Sequence, residues 1–215
     1  MNRKLKVLGL ALVAVFALTS VSASAASAAQ FTSSVEGVTT LNGEQSGEGD
    51  VFTVNAGVTT CSVATYLGNA ENGSAIAEAH PSYSGCSVEP IGSATIDTTG
   101  CDYIFDAAKT VDIDCGSGAI KVVAKVFGIT KCTISVPSQE NLAVVDYVNN
   151  GGSPSTITVD VSMEGIEYWQ VAGSGFGACN SEGSSESPLT NGKYTGEALV
   201  EGEQGGTPVS ISHDE

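Results

Sequence analysis

The stretch Cys101-Asp-Tyr-Ile-Phe-Asp-Ala-Ala-Lys-Thr-Val-Asp-Ile-Asp-Cys115 decides the fold that this sequence predicts. Side chains in a β-strand alternate between the two faces of the sheet. A turn at residues 107–109 places Phe105 opposite Val111, and all the apolar side chains of both strands then lie on one face. The same register places Cys101 opposite Cys115, and a slip by one residue would destroy the match. We therefore predict a β-hairpin that is closed by a disulfide.

The chain continues from this hairpin into a second one. Gly116-Ser117 suits a two-residue turn with Gly at its first central position. Under that turn Ile113 opposes Ile120 on the apolar face. On the outer face Asp112 meets Lys121, and opposite charges across a strand pair are favourable. These registers predict a three-stranded antiparallel meander.

The rest of the chain alternates in short segments between turn clusters. The predicted strands cover residues 50–54, 58–66, 74–80, 93–98, 132–136, 142–148, 156–171, 196–201 and 208–212. Cys61 and Val63 are expected to share a face. Pro81 and Pro137 are expected to end the strands before them, because proline cannot donate to a β-ladder. Asn72-Gly73 is a strong turn signal.

No long helical period occurs after residue 28. About ten short strands between turn clusters predict an all-β fold, an antiparallel β-sandwich that is bridged by disulfides and has no substantial helix. A subdivision into two smaller sandwiches is possible near residues 137–141.

The first residues have the pattern of a secretory signal peptide. Three basic residues precede an apolar run at residues 7–18, and small residues end in Ala26-Ser27-Ala28. We predict a signal peptide over residues 1–28 and one secreted domain over residues 29–215. The apolar run is too short for a membrane helix, and no second run follows. The sequence therefore predicts a released extracellular protein without a membrane anchor.

The predicted mature chain is strongly acidic. Three of the 8 basic residues lie in the signal and all 24 acidic residues follow it, which leaves 5 basic residues and a net charge of −19. Such a surface is a poor partner for nucleic acid or for an anionic membrane. It is suited to solubility outside the cell.

Six cysteines behind a signal peptide indicate a disulfide framework. There is no Cys-x-x-Cys pair and there are only two histidines, which disfavours a zinc site. Six cysteines allow about 15 connectivities, and only Cys101–Cys115 has an argument from register. Cys61–Cys86 and Cys132–Cys179 are the pairs we expect for the others.

The residues needed for catalysis do not form a recognisable set. A Ser-His-Asp triad needs a positioned base, but His213 is third from the end, where chains are usually frayed, and His80 precedes a proline. No Gly-x-Ser-x-Gly motif is present. We predict no catalytic residue.

Carboxylates on the predicted hairpin allow two further alternatives. Asp102 opposes Asp114, and Asp112 lies close by, which is reminiscent of the paired carboxylates of glycosidases. The same three side chains offer oxygen ligands to calcium, but calcium takes about six or more. An exposed acidic face explains them equally well. We predict no metal and no cofactor.

Residues 172–192 form the longest stretch without strand alternation, and they are rich in Gly and Ser. A stretch of this length in a compact domain is usually functional or disordered. Cys179 would tie it to the scaffold, and Phe176 is a candidate binding anchor. Trp169, just before it, is expected in the core. The sequence predicts that a contact surface, if there is one, lies on this loop.

Several short pieces together resemble a known group of proteins. They are Thr60-Cys-Ser-Val-Ala-Thr-Tyr66, Pro81-Ser-Tyr-Ser-Gly-Cys86, Gly100-Cys-Asp-Tyr-Ile-Phe105, Cys132-Thr-Ile-Ser-Val-Pro-Ser-Gln139 and Tyr194-Thr-Gly196. In this order they resemble small secreted actinobacterial proteins that are β-rich and cysteine-bridged. The resemblance implies one bacterial extracellular domain and carries over no functional residue.

These features together favour a secreted, non-enzymatic β-sandwich that binds an extracellular ligand or cell-surface component, or builds extracellular surface. The alternative is a small extracellular hydrolase whose site is assembled from distant loops. His80 discriminates between them: if it lies exposed and far from any Ser or Asp pair, the hydrolase is excluded.

Overall fold

The computed structural model describes residues 28–89, 92–142 and 144–215. The predicted signal peptide, apart from Ala28, lies outside these residues. The described part of the chain contains strands and turns but no helix, and so it offers no helical segment able to cross a membrane.

The described residues form 15 strands, which are longer and more numerous than predicted, and five of them have 13 to 17 residues. They are β1 (Gln30–Ser33), β2 (Val38–Val54), β3 (Gly57–Glu71), β4 (Ile76–Val88), β5 (Ser93–Asp97), β6 (Asp102–Asp106), β7 (Thr110–Asp114), β8 (Ile120–Val126), β9 (Ile129–Val136), β10 (Gln139–Leu142), β11 (Val144–Asn150), β12 (Thr156–Ala172), β13 (Leu189–Gln204), β14 (Thr207–Val209) and β15 (Ile211–Asp214).

Thirteen strands form one antiparallel sheet that closes on itself. The order β4-β3-β2-β13-β12-β9-β8-β5 returns to β4, because Ser93 of β5 pairs with Ser87 of β4. β6, β7 and β10 extend from the first half of β4. Side chains from opposite arcs, such as Phe52 and Ile134, meet in one core. This confirms the predicted all-β, antiparallel and disulfide-bridged class.

The hairpin at the centre of the sequence forms as predicted. β6 pairs with β7 in the register that places Tyr103 opposite Ile113 and Phe105 opposite Val111. The three disulfides join Cys101 to Cys115, Cys61 to Cys86 and Cys132 to Cys179, which are the expected pairs. No free cysteine is left in the described residues.

The second predicted hairpin is wrong. Ile113 pairs with Gln139 of β10, and Ile120 pairs with Val136 of β9 in the opposite layer. Lys121 therefore lies beside Asp97 rather than Asp112. The two isoleucines do share the apolar core, since both line one small cavity inside it, but they approach from facing layers. Alternation identifies which side chains point inward, and it does not identify the layer to which a strand belongs.

Two smaller expectations also fail. Cys61 and Val63 do not share a face, because Cys61 is buried whereas Val63 is 49% exposed. The alternation is interrupted here: the two successive residues Ser62 and Val63 both face outward. They lie beside Gly85, whose φ is +60°. Pro81 is buried inside β4 instead of ending it. Pro81 lies between the part of β4 that pairs with β6 and the part that pairs with β5. On this side of β4 no neighbouring strand pairs with it at Pro81. A proline is tolerated at such an edge.

Other local predictions are confirmed. The segments predicted as strands at residues 142–148 and 156–171 contribute to the paired strands β11 and β12, and Ile157, Val161 and Met163 are buried together. β9 ends at Val136, directly before Pro137. The sequence allowed a subdivision at residues 137–141. Residues 137–138 join β9 to β10, and residues 139–141 are part of β10 in the same sheet.

The first and last strands of the described chain meet at one end of the sheet, which we call the ribbon end. β1 and β15 form a separate two-stranded ribbon. Phe31 and Ile211 of the ribbon pack with Ala70, Ala77 and Ile157 in a second apolar cluster. The C-terminal strand is thus paired and packed rather than frayed.

His213 shows how firmly the ribbon is held. The residue is 5% exposed, and its Nε2 lies 2.8 Å from the carbonyl oxygen of Ala107. Its ring centroid is 4.5 Å from that of Tyr147. Its backbone exchanges two hydrogen bonds with the Asn149 amide, at 2.7 and 2.8 Å. The expectation of a mobile terminal histidine is therefore wrong, because long-range pairing buries it.

Candidate functional site

Several chain connections meet at the opposite end of the sheet, which we call the loop end. They are residues 55–56 between β2 and β3, residues 127–128 between β8 and β9, residues 173–188 between β12 and β13, and the connection after β4, of which Glu89 and Gly92 are described. We call residues 173–188 the tethered loop. Connections gathered at one end of a β-fold are a frequent place for binding sites.

A cleft of about 310 Å³ lies among these connections. Its size is at the lower limit of ordinary small-molecule sites. The side of the cleft formed by the sheet and its short connections consists of Asn55, Ala56, Val88, Glu89, Gly92, Ala124, Lys125, Val126, Lys131, Cys132 and Gln170. The tethered loop contributes Gly177, Ala178, Cys179, Asn180 and Glu182.

The tethered loop is fixed to the first residues of β9. Cys179 is bonded to Cys132, and the backbone N–H groups of Gly173 and Cys179 both donate to the carbonyl oxygen of Lys131, at 2.9 and 3.2 Å. The Lys131 ammonium donates in return to the carbonyl oxygen of Ser174 at 2.8 Å. A loop that is ordered before binding costs less entropy when a ligand binds.

Gly173 makes this close approach possible. A Cβ at this position would overlap the backbone carbonyl of Thr130, so any larger residue would push the loop away from β9. The predicted contact loop is therefore a shaped wall of the cleft.

Gln170 connects the sheet to the loop and is one of the residues that line the cleft. The residue is 3% exposed. Its backbone exchanges hydrogen bonds with Glu182, and its Nε2 donates to the carbonyl oxygen of Asn180 at 3.0 Å. Its Oε1 is buried and has no hydrogen-bond partner among the described residues. An acceptor of this kind costs about 1–3 kcal/mol when it is left unpaired, so a ligand that donates to it recovers that energy.

The charges around the cleft are balanced. Lys125 and Lys131 line it together with Glu89 and Glu182. Glu182 is held in place because its Oε2 accepts from the Asn55 amide at 2.9 Å. On a chain with a strong acidic excess, this local balance favours neither an anionic nor a cationic ligand.

Two exposed aromatic residues are next in the chain to residues that line the cleft. Phe127 follows the lining residue Val126, and Phe176 precedes the lining residue Gly177. Their exposures of 97% and 103% leave both rings free of protein contact. Trp169, which was expected in the core, is only half-buried. Side chains alternate between the two faces of β12, and the buried Tyr168 and Gln170 occupy the inward-facing positions on either side of it.

A second polar group lies deep in the core at Asp50, which is 2% exposed. Its Oδ1 accepts hydrogen bonds from the hydroxyls of Tyr66, at 2.8 Å, and Tyr194. Tyr83 extends the network, with its hydroxyl 2.9 Å from that of Tyr103. We call this group the tyrosine network. Gly196 leaves room for it, because a Cβ there would overlap Asp50 Oδ1.

Burial raises the pKa values of the titratable side chains in the tyrosine network. Burial raises the pKa of Asp50, against the opposing effect of the two hydroxyl donors. Burial also raises the pKa of Tyr83, Tyr103 and Tyr194 well above the ordinary value. Cavities of about 80 and 40 Å³ adjoin the network and share walls with it. The network spans the neighbouring strands β6, β4, β3, β2 and β13, and we assign it to the scaffold.

The exposed His80 lies apart from the cleft. Its Nδ1 is 2.8 Å from Asp102 Oδ1 on the neighbouring strand, and its side chain is 50% exposed. It does not meet the condition that would exclude a hydrolase, since it has a carboxylate partner. In the described part of the chain, however, no serine hydroxyl makes a hydrogen bond with its ring, and His80 lines none of the three cavities.

The other predicted carboxylates have separate local roles. Asp102 and Asp114 are opposite each other as expected, but Asp114 accepts from the N–H of Gly116 at 2.9 Å. Asp112 accepts from the N–H of Asn141 at 2.6 Å. Over the described residues no three His, Cys, Asp or Glu side chains are placed to hold a metal ion.

Sequence reasoning missed Gln170 and Asp50, although a signal was present for both. Gln170 follows Ile166 and Tyr168 at alternate positions, and Asp50 precedes Phe52 and Val54 in the same way. A polar residue that occupies an inward-facing position between apolar residues of a strand is expected to be buried. A buried polar group needs a hydrogen-bond partner.

Comparison of the chain with protein-family models, with curated proteins and with solved structures finds no match.

Proposed function

We propose that the protein is an exported, non-catalytic binding protein and that its ligand occupies the loop-end cleft. The observation that carries this proposal is Gln170, which lines a cleft whose wall is fixed by a disulfide and whose own Oε1 is buried without a partner among the described residues. A site that is shaped in advance and leaves one directional group unpaired is suited to recognition.

Export is supported by two independent features. Three disulfides are typical of proteins that fold in an oxidising compartment. The basic, apolar and small-residue segments before residue 29 follow the pattern of a secretory signal. The acidic surface suits an extracellular protein that stays soluble.

The proposal can be tested on the insoluble wall fraction of the producing culture. Ala178→Trp fills the cleft from the tethered loop, whereas Val171→Trp places the same bulk on the opposite face of β12 from Gln170. We expect the wild type and Val171→Trp to be retained on the washed wall fraction and Ala178→Trp to be released. Thermal melting of both variants checks that they fold. Equal retention of the two variants would contradict a ligand in the cleft.

The hydrolase remains a second candidate because of the pair His80–Asp102. Such a pair can hold a general base, but a nucleophile must lie within hydrogen-bond distance of it. Hydrolysis of p-nitrophenyl acetate tests this candidate. Activity that is lost in His80→Ala would support it, and activity equal to the buffer blank would remove it.

A further inference from the structure

The charge and hydrogen bonding of the cleft define the polarity of its ligand. Two ammonium groups and two carboxylates line it, so a ligand with net charge would meet repulsion as well as attraction. The buried Gln170 Oε1 requires a donor. The best match is an uncharged molecule that carries hydroxyl or amide donors.

The exposed aromatic side chains indicate the shape of the ligand. Phe127 and Phe176 are fully exposed and are the chain neighbours of the lining residues Val126 and Gly177. Such rings gain by covering a flat apolar surface. A molecule that matches both features has apolar C–H faces and a rim of donor groups, and a pyranose ring has this construction.

An extended peptide fits the cleft less well. A peptide that binds to a sheet adds to an unpaired strand edge. At this end β8 pairs with β5 and β9, and β9 pairs with β8 and β12, so neither of these strands offers an edge. The acidic surface also disfavours nucleic acid and anionic lipid.

We infer that the ligand of the loop-end cleft is a carbohydrate: an uncharged oligosaccharide that stacks on Phe127 and Phe176 and donates a hydroxyl or amide hydrogen bond to Gln170 Oε1. This inference rests on the proposed function of the cleft. It adds the chemical class of the ligand and assigns a binding role to the two exposed phenylalanines.

Titration calorimetry with cellotriose, chitotriose and mannotriose tests the inference, with triglycine as the peptide control. We expect at least one trisaccharide to bind at concentrations up to about 10 mM and triglycine not to bind. Because the ligand is uncharged, its affinity should not change when sodium chloride is added. Binding of triglycine alone, binding of no trisaccharide, or an affinity that falls with salt would each overturn the carbohydrate assignment.

Substitutions test whether the two phenylalanines contact the trisaccharide. The double substitution Phe127→Ala/Phe176→Ala should weaken binding of the trisaccharide about tenfold, since each stacked ring contributes a modest share. The matched control Leu67→Ala/Val148→Ala removes two exposed apolar side chains elsewhere and should leave the affinity unchanged. Equal effects of the two double variants would overturn the assignment.

The two proposals fail in different ways. If no trisaccharide binds but Ala178→Trp still releases the protein from the wall fraction, the cleft binds a ligand that is not a carbohydrate. If the trisaccharide binds equally well to Ala178→Trp, the cleft is not the site and the proposed function fails.

Discussion

The two ends of the sheet are both covered by chain, but with different chemistry. At the ribbon end, β1 and β15 cover an apolar cluster, and His213 is buried with its ring and backbone hydrogen-bonded. At the loop end, a disulfide holds the tethered loop over a cleft that is lined by charged and amide side chains. The His213 ring and backbone are paired at the ribbon end, whereas the Oε1 of the cleft residue Gln170 is buried and unpaired. Among the described residues Gln45 Oε1 and Asp50 Oδ2 are buried and unpaired as well, but neither Gln45 nor Asp50 lines the cleft.

This contrast separates stability from recognition. A group that is fully paired inside the protein contributes to folding and has nothing to offer a ligand. A group that is held in place but unpaired costs stability and gains a partner on binding. We therefore expect substitutions at the ribbon end to change stability alone, and substitutions in the cleft to change binding.

The largest effect should come from the disulfide of the tethered loop. Cys132 and Cys179 are 47 residues apart, and Cys101 and Cys115 are 14 apart. Chain entropy predicts a loss of about 4 kcal/mol of unfolding free energy for the first pair and about 3 kcal/mol for the second when both cysteines become Ala. Urea denaturation measures both. Only the first variant should lose retention on the wall fraction, and loss of retention in both would break the distinction between scaffold and site.

The next effect is at the ribbon end. His213→Ala removes a buried ring and its hydrogen bond to Ala107, which should cost about 3 kcal/mol of unfolding free energy. The control is the exposed histidine: His80→Ala should change stability by less than about 1 kcal/mol, because surface ion pairs contribute little. Urea denaturation compares the two. A similar cost for both variants, or a loss of wall retention in His213→Ala, would contradict the assigned roles.

Gly173→Ala should have a smaller effect, of about 2 kcal/mol, because the added methyl group forces the tethered loop away from Thr130. Ser174→Ala is the control in the same loop, since its backbone carbonyl rather than its side chain contacts Lys131. Thermal melting measures stability, and retention on the wall fraction measures the cleft. Full retention of Gly173→Ala would show that the position of the loop does not matter for binding.

The smallest effect concerns pH and the tyrosine network. Because burial raises the pKa of Asp50 in the folded state, the folded protein binds its proton more tightly than the unfolded chain does. The stability contributed by the protonated carboxyl is therefore present at low pH and is lost as pH rises from the unfolded pKa of about 3.9 through the raised folded pKa.

Asp50→Asn removes this titration and keeps an oxygen that can accept from Tyr66 and Tyr194. Its midpoint of thermal unfolding relative to the wild type should increase as the pH rises through that window. A difference that is constant with pH would show that Asp50 titrates alike in both states.

The sequence predicted contacts that are local and paired by one turn. The hairpin of β6 and β7 and the bridge Cys101–Cys115 follow from alternation around residues 107–109, and the structure has both. The pairing of Ile113 with Ile120 failed because alternation marks an inward face without naming a layer. A long-range contact such as β1 with β15 has no local signal, since the two strands are short and lie at opposite ends of the chain.

The candidate site was predictable only in part. The unusual length of the Gly- and Ser-rich stretch, together with Cys179, pointed to the tethered loop. Gln170 and Asp50 were both visible in the sequence as polar residues at inward-facing positions of apolar strands. Which of them comes to line the loop-end cleft depends on neighbours such as Asn180 and Tyr194. Those neighbours are brought together by the fold.

Hydrogen–deuterium exchange tests most directly whether the loop end is the binding end. The protein is compared alone and with the enzymatically solubilised wall fraction of the producing culture. The account predicts slower exchange in peptides covering residues 124–132 and 170–182 and no change in residues 30–33, 147–157 and 207–214. Protection at the ribbon end, with none in residues 170–182, would contradict it.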